Sequence, residues 1–194
     1  MEANEDLVVQ VPRLWSMNME KRKKVIAFFK ELGFAFNISR FDDRLIAQKL
    51  VCLLDLRGVD LGYPCSIYVR GPYSPDLTQD LFEFTREFEN LETESRLSAA
   101  EKETAGDLGR IFGLKPVPLE IGATYGYYTL RQNSDPLEAL RQVKRLKPFY
   151  PEARIALGIS KAKEFLFRPT QKDLEELKKE TGIWQRASLK SLEK

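Results

Sequence analysis

Apolar residues recur every three or four positions along most of the chain, which is the period of an amphipathic helix. The pattern is clearest after Ser74-Pro75, where a serine before a proline is typical of a helix start. From there one apolar face is formed by Leu77, Leu81, Phe84, Phe88 and Leu91. Similar patterns predict helices over residues 19–32, 43–57, 98–113, 119–132 and 135–146, one after Pro151, and a last one over 170–182.

The predicted helix ends carry residues that start or stop a helical backbone. Residues suited to cap a helix precede four of them, namely Asn18, Asp42, Ser98 and Asp135. Pro116 and Pro118 predict a break before the helix over 119–132. Within that helix Gly122 and Gly126 lie four residues apart on one face. Because glycine lowers helix stability, this pair predicts the close approach of another backbone.

One segment has the alternating pattern of a strand. Tyr63, Cys65, Ile67 and Val69 alternate with their neighbours, and the alternation stops at Gly71-Pro72. Residues 7–11 also favour extended structure, either as a strand paired with this one or as a short ordered tail.

Together these patterns predict a mainly α fold. We expect a compact bundle of about seven or eight helices with at most one short β-hairpin or strand pair. At 194 residues the chain has the length of one domain. We expect a single helical domain over 1–168, followed by a charged, helical C-terminal extension over 169–194.

Composition narrows the chemistry. The chain has no histidine, which excludes Ser–His–Asp triads, HExxH zinc sites and histidine acid–base catalysis. Cys52 and Cys65 lie 13 residues apart and lack the pairing of a zinc site. We expect Cys52 to be a small buried apolar side chain, with a disulfide to Cys65 as the alternative. The sequence therefore predicts no catalytic residues, no metal site and no cofactor, and a protein that is not an enzyme.

The distribution of apolar residues also bears on location. The longest purely apolar run is Leu50–Leu54, far shorter than the ~20 residues that cross a bilayer. No early apolar run with a small-residue cleavage site is present. We expect a cytoplasmic protein that does not bind membranes.

Charge is unevenly distributed. Residues 139–168 carry eight basic and two acidic side chains, a net of +6, whereas residues 83–107 carry three basic and eight acidic ones, a net of −5. A basic pair of helices is typical of a phosphate binder. The stretch 135–166 therefore supports an alternative function as a DNA-binding transcriptional regulator. Its candidate nucleic-acid contacts are Arg141, Lys144, Arg145 and Lys147.

Two motifs in the middle of the chain carry a family resemblance. A helix reading QKLVCLL begins at Gln48, and RGPYSPDL begins at Arg70 and leads into the next helix. This arrangement resembles the Panacea antitoxin-domain proteins and their uncharacterised prokaryotic relatives, which show an LQKLLY-type helix followed by a GP turn. The similar segment extends over about 42–168, with Ala47 and Cys52 in place of the commoner Leu and Tyr. The resemblance implies a mainly helical regulatory protein that binds a protein partner, such as a toxin.

The residues of these motifs are the candidate interaction site. Lys49 lies within or beside the apolar face of its helix, so its ammonium must reach solvent or find a partner. Arg70, Tyr73 and Ser74 form a turn into a helix start, where an arginine and an aromatic ring are typical anchors of a protein interface. The alternative is that turn geometry, capping and packing use these residues internally. We predict that Lys49, Arg70, Tyr73 and Ser74 contact the partner.

Overall fold

The computed structural model describes the backbone of residues 6–167 and the side chains of residues 18–167. Its elements in chain order are α1 (Asp6–Glu31), α2 (Phe41–Leu56), β1 (Ser66–Tyr68), β2 (Gly71–Tyr73), α3 (Pro75–Glu83), α4 (Thr85–Glu89), α5 (Ala99–Phe112), α6 (Pro116–Leu130), α7 (Pro136–Leu146) and α8 (Glu152–Leu166). Eight helices and one hairpin over these residues confirm the predicted fold class. The predicted helix over 170–182 and the extension over 169–194 lie outside the described residues.

The core is organised around α6. Every residue of this helix from Leu119 to Gly126 is buried, which is the pattern of a helix surrounded by other elements. Its neighbours are α2, α7, α8 and the strand β2. None of the helices in the described range has the length and apolar character needed to cross a membrane.

Small residues lie where α6 packs against α8. A Cβ on Gly122 would lie 3.4 Å from the carbonyl oxygen of Gly158 and 2.7 Å from the ring of Phe112. The prediction that Gly122 faces another backbone is therefore confirmed. Gly126 instead faces the side chains of Leu56 and Leu166.

Several predicted boundaries are wrong for local reasons. Residues 7–11 belong to α1 and do not form a strand. Asp42 does not cap α2, which begins at Phe41, and the buried Asp43 carboxylate accepts a hydrogen bond from the Asn37 amide at 3.0 Å. α6 begins at Pro116, because a proline in the first turn loses no helical hydrogen bond.

The apolar face predicted to run unbroken to Leu91 is divided between α3 and α4. The break lies at Phe84, whose backbone leaves the helical region. The Thr85 hydroxyl donates to the carbonyls of Leu81 and Phe82, each at 2.9 Å. A hydroxyl that binds backbone carbonyls in this way competes with the helix. Phe88 nevertheless reaches the core.

The predicted strand is one half of a hairpin. β1 pairs antiparallel with β2, with Ile67 opposite Pro72. Gly71-Pro72 begins the second strand, whereas the alternating pattern predicts only that it ends the first. Gly71 has a φ of +82°, and a Cβ there would collide with the Thr124 hydroxyl on α6. The hairpin thus lies directly on the central helix.

A disulfide between Cys52 and Cys65 ties the start of the hairpin to α2, with 6.0 Å between the Cα atoms. The expectation of a free buried thiol at Cys52 is therefore wrong. Cys52 is buried as expected, but the fold brings the two Cα atoms within the range that a disulfide can span.

The position of Gly71 gives the first testable prediction. Gly71→Ala and Gly58→Ala both place alanine at a positive φ, which costs about 1–2 kcal/mol. Only Gly71→Ala also forces a clash with α6, because Gly58 faces open space. We expect an additional loss of about 1–3 kcal/mol for Gly71→Ala. Urea unfolding measures both variants, and equal losses would contradict the tight contact with Thr124.

Candidate functional site

An apolar cleft lies between the first half of α2, the hairpin and α3. It encloses a volume of about 390 Å³. Its walls are formed by Phe41, Arg44, Leu45, Gln48, Lys49, Tyr68, Val69, Arg70, Gly71, Tyr73, Thr78, Leu81 and Phe82. Three of the four predicted interaction residues, Lys49, Arg70 and Tyr73, are therefore brought together in one concavity.

Large apolar side chains around this cleft are exposed to water. Phe41 is 50%, Phe82 59%, Tyr68 66% and Val69 74% exposed. The Tyr68 ring lies beside the half-buried Tyr73 ring, with 5.7 Å between their centroids. Single exposed apolar residues are ordinary on a protein surface, but a group around one concavity is typical of a binding site.

Two guanidinium groups flank the ring of Phe41. The guanidinium carbon of Arg70 lies 5.0 Å from the ring centroid and that of Arg44 lies 5.7 Å from it. Arg44 also donates a hydrogen bond to the Ile38 carbonyl at 2.5 Å. No carboxylate is among the residues that line the cleft. The rim is therefore apolar and positively charged.

Lys49 forms the floor. Its side chain is only 2% exposed, and its ammonium donates to the Pro72 carbonyl in β2 at 2.5 Å. Of the two predicted alternatives, reaching solvent or finding a partner, the structure shows the second, and the partner is a backbone carbonyl. Burial, together with the positive charges of Lys147 and Arg70, lowers the pKa of Lys49 to about 7, against the opposing effect of Glu120.

Behind the floor lies a buried ion pair. Lys147, at the end of α7, donates to the Glu120 carboxylate on α6 at 2.5 Å, and both side chains are buried. The Tyr150 hydroxyl donates to the other oxygen of Glu120 at 2.8 Å. Burial, with the hydrogen bond to Glu120, raises the pKa of Tyr150 to about 12. This network fixes the turn between α7 and α8 to the central helix.

The burial of Lys147 corrects one of the predicted nucleic-acid contacts. A fully buried ammonium paired with Glu120 is not available to a phosphate. The other three candidates lie on the exposed side of α7 and already have local partners. Arg141 pairs with Glu138, Lys144 pairs with Glu152, and Arg145 donates to Gln142. DNA binding by these three residues stays a prediction.

Ser74 also differs from its predicted role. Its side chain is fully buried and accepts a hydrogen bond from the Leu77 amide, so it caps α3 and does not face the cleft. Gln48 holds the backbone of Ser74 from both sides. The side-chain oxygen of Gln48 accepts from the Ser74 amide at 2.9 Å, and its nitrogen donates to the Ser74 carbonyl at 3.0 Å. The wall formed by α3 is thereby tied to α2.

Sequence reasoning missed the apolar members of the cleft. Phe41 is the first residue of α2, directly before the acidic Asp42, and Phe82 is not part of the apolar face of α3 that contains Leu77 and Leu81. An apolar residue that does not belong to the buried face of its helix was the available signal.

The arrangement is suited to binding. In the described part of the chain, no group of three or more acidic or cysteine side chains is placed to hold a metal ion. The cleft offers aromatic surface, two guanidinium groups and one ammonium. These groups can bury an apolar side chain and pair with an anion.

Comparisons with known proteins found no matching family model and no significantly similar curated protein or solved structure.

The lowered pKa of Lys49 gives the second testable prediction. The folded protein binds this proton less tightly than the unfolded chain, whose lysine has the ordinary pKa of 10.5. Unfolding therefore takes up a proton between about pH 7 and about pH 10, and the contribution of Lys49 to stability rises with pH over this interval. Relative to Lys49→Met, the wild type should gain up to about 1.4 kcal/mol per pH unit.

The measurement is urea unfolding of both proteins across that interval. Lys102→Met, at an exposed lysine of α5, is the matched control and should differ from the wild type by a constant amount. A constant difference for Lys49→Met as well would show that Lys49 is protonated in the folded protein throughout.

Proposed function

We propose that the protein is a regulatory protein that acts by binding a protein partner, and that the cleft beside the hairpin is its docking site. The observation that carries this proposal is the exposure of Phe41, Tyr68, Val69 and Phe82 around a single concavity. Aromatic residues and arginines are enriched among the side chains that dominate protein interfaces. Both kinds line this cleft.

Rigid support behind the cleft also favours docking. The hairpin is held by the disulfide at Cys65, by the bond from Lys49 to the Pro72 carbonyl and by the contact of Gly71 with α6. A surface that is already ordered loses little conformational entropy when a partner binds. The partner then meets a preformed site.

The resemblance to Panacea antitoxin-domain proteins supports regulation of an antitoxin-like kind. Its two motifs, which begin at Gln48 and Arg70, include part of the cleft lining, namely Gln48, Lys49, Arg70, Gly71 and Tyr73. By this resemblance we propose an antitoxin-like role in which the partner is a toxin. We assign no catalytic step to the cleft.

Replacing two aromatic anchors tests the proposal. The variant Phe41→Ser/Phe82→Ser should lose partner binding by at least about 30-fold, which corresponds to one interface residue of about 2 kcal/mol. The wild type captures partners from a lysate of the source cells, and mass spectrometry identifies them. Affinities are then measured with the purified partner, and circular dichroism verifies that each variant is folded.

The matched control is Leu137→Ser/Leu157→Ser, which removes two exposed apolar side chains outside the cleft, 54% and 52% exposed. This variant should retain the partner. If the cleft variant binds as well as the wild type, or if both variants lose the partner equally, the cleft is not the docking site.

A further inference from the structure

The cleft and its floor have an excess of positive charge. Lys49, Arg70 and Lys147 act on one another through space, and Glu120 is the carboxylate that faces them. Both oxygens of Glu120 are already used, one by Lys147 and the other by Tyr150. Three basic side chains therefore lie within electrostatic reach of one carboxylate: Lys49 at the floor, Lys147 behind it and Arg70 on the rim.

Arg70 is the cation best placed to meet a ligand. Its side chain is exposed on the turn of the hairpin, and within residues 18–167 it has no carboxylate at ion-pair distance. Its contact is the ring of Phe41, 5.0 Å from the guanidinium carbon to the centroid. Arg44 lies on the same ring. A guanidinium held over an aromatic ring keeps its N–H donors free for a carboxylate.

The buried Lys49 at the floor of the cleft also favours the binding of an anion. A buried ammonium is costly unless it is paired, and the carbonyl of Pro72 gives it a hydrogen bond but no opposite charge. An anion that entered the cleft would lower this cost. It would also meet no carboxylate on the walls to repel it.

We infer that the docking cleft recognises a short peptide segment of the partner in which a large apolar side chain is flanked by aspartate or glutamate. The apolar side chain would lie among Phe41, Tyr68 and Phe82, and the carboxylates would pair with Arg70 and Arg44 above Lys49. This inference rests on the proposed function and specifies the chemistry of the partner. Two guanidinium groups on the rim favour flanking acidic side chains over a single chain-terminal carboxylate.

Blocked peptide libraries test this chemistry. In one library a central aromatic or aliphatic residue is flanked by Asp or Glu, and in the matched library the same positions carry Asn or Gln. Purified protein should bind members of the acidic library at least about 10-fold more tightly, which corresponds to about 1.4 kcal/mol, because hydrogen bonds to charged groups are stronger than neutral ones. Equal binding of the two libraries, or binding of neither, would overturn the inference.

Arg70→Gln provides the protein side of the test. It should weaken the best acidic peptide at least about 10-fold and leave its amide counterpart nearly unchanged, since the two changes remove the same interaction. Arg141→Gln, at an exposed arginine of α7, is the control and should have no effect. Equal losses for Arg70→Gln and Arg141→Gln would show only non-specific attraction to a basic protein, against the inference.

Proton uptake on peptide binding tests whether a carboxylate of the peptide lies close to Lys49. A carboxylate bound near Lys49 raises the pKa of that lysine, on which Lys147, Glu120 and Arg70 also act. Calorimetric titrations near pH 8 in buffers of different ionisation enthalpy should therefore show proton uptake with the acidic peptide. Lys49→Met should abolish this uptake. Peptide binding without uptake by the wild type would place the carboxylate away from Lys49 and contradict the proposed geometry.

The experiments distinguish a failure of this inference from a failure of the proposed function. If the captured partner depends on Phe41 and Phe82 but not on Arg70, the docking site stands and the acidic peptide is wrong. If the chain self-associates in sedimentation and Phe41→Ser/Phe82→Ser abolishes this, a second copy occupies the cleft and the inference fails.

Discussion

The hydrogen bond from the buried Lys49 ammonium to the Pro72 carbonyl connects the parts on which the cleft depends. The hairpin has three residues in each strand, and an isolated hairpin of that size is not stable in water. It persists because Lys49 of α2 is hydrogen-bonded to Pro72 and because Gly71 packs against Thr124 of α6. The hairpin therefore owes its structure to the helices beneath it, and its exposed turn becomes a fixed wall of the cleft.

Three basic side chains near one buried carboxylate do not give a helical core its highest stability. Apolar residues of similar volume often replace buried ion pairs without loss of stability. Here the network fixes geometry: Glu120 joins α6 to Lys147 at the end of α7 and to Tyr150 before α8. Burial and the positive charge of Lys147 lower the pKa of Lys49, and the charge of Glu120 opposes this effect. The turn between α7 and α8 and the floor of the cleft are thus coupled electrostatically.

Some features fixed by neighbours in sequence could be predicted, whereas several features fixed by tertiary contacts could not. The caps at Ser98 and Asp135 are present as predicted, because a cap depends on the next three residues. The place of Lys49 within or beside an apolar helix face predicted that its ammonium would reach solvent or find a partner, and the second of these is what the structure shows. Nothing local distinguished Lys147 from the exposed bases around it, since its burial depends on Glu120, 27 residues away. The disulfide likewise depended on how the hairpin lies over α2.

The cleft itself follows from an exchange of the usual positions of polar and apolar residues. Around it Lys49, Gln48 and Ser74 are buried, whereas Phe41, Tyr68 and Phe82 face water. Each buried polar group is satisfied by backbone or side-chain partners that join α2 to the hairpin and α3. The fold covers the exposed rings only in part, since Phe41 is 50%, Phe82 59% and Tyr68 66% exposed. The polar groups hold the walls of the cleft together, and the aromatic side chains stay exposed. The apolar area of this surface is therefore buried only when another molecule covers it.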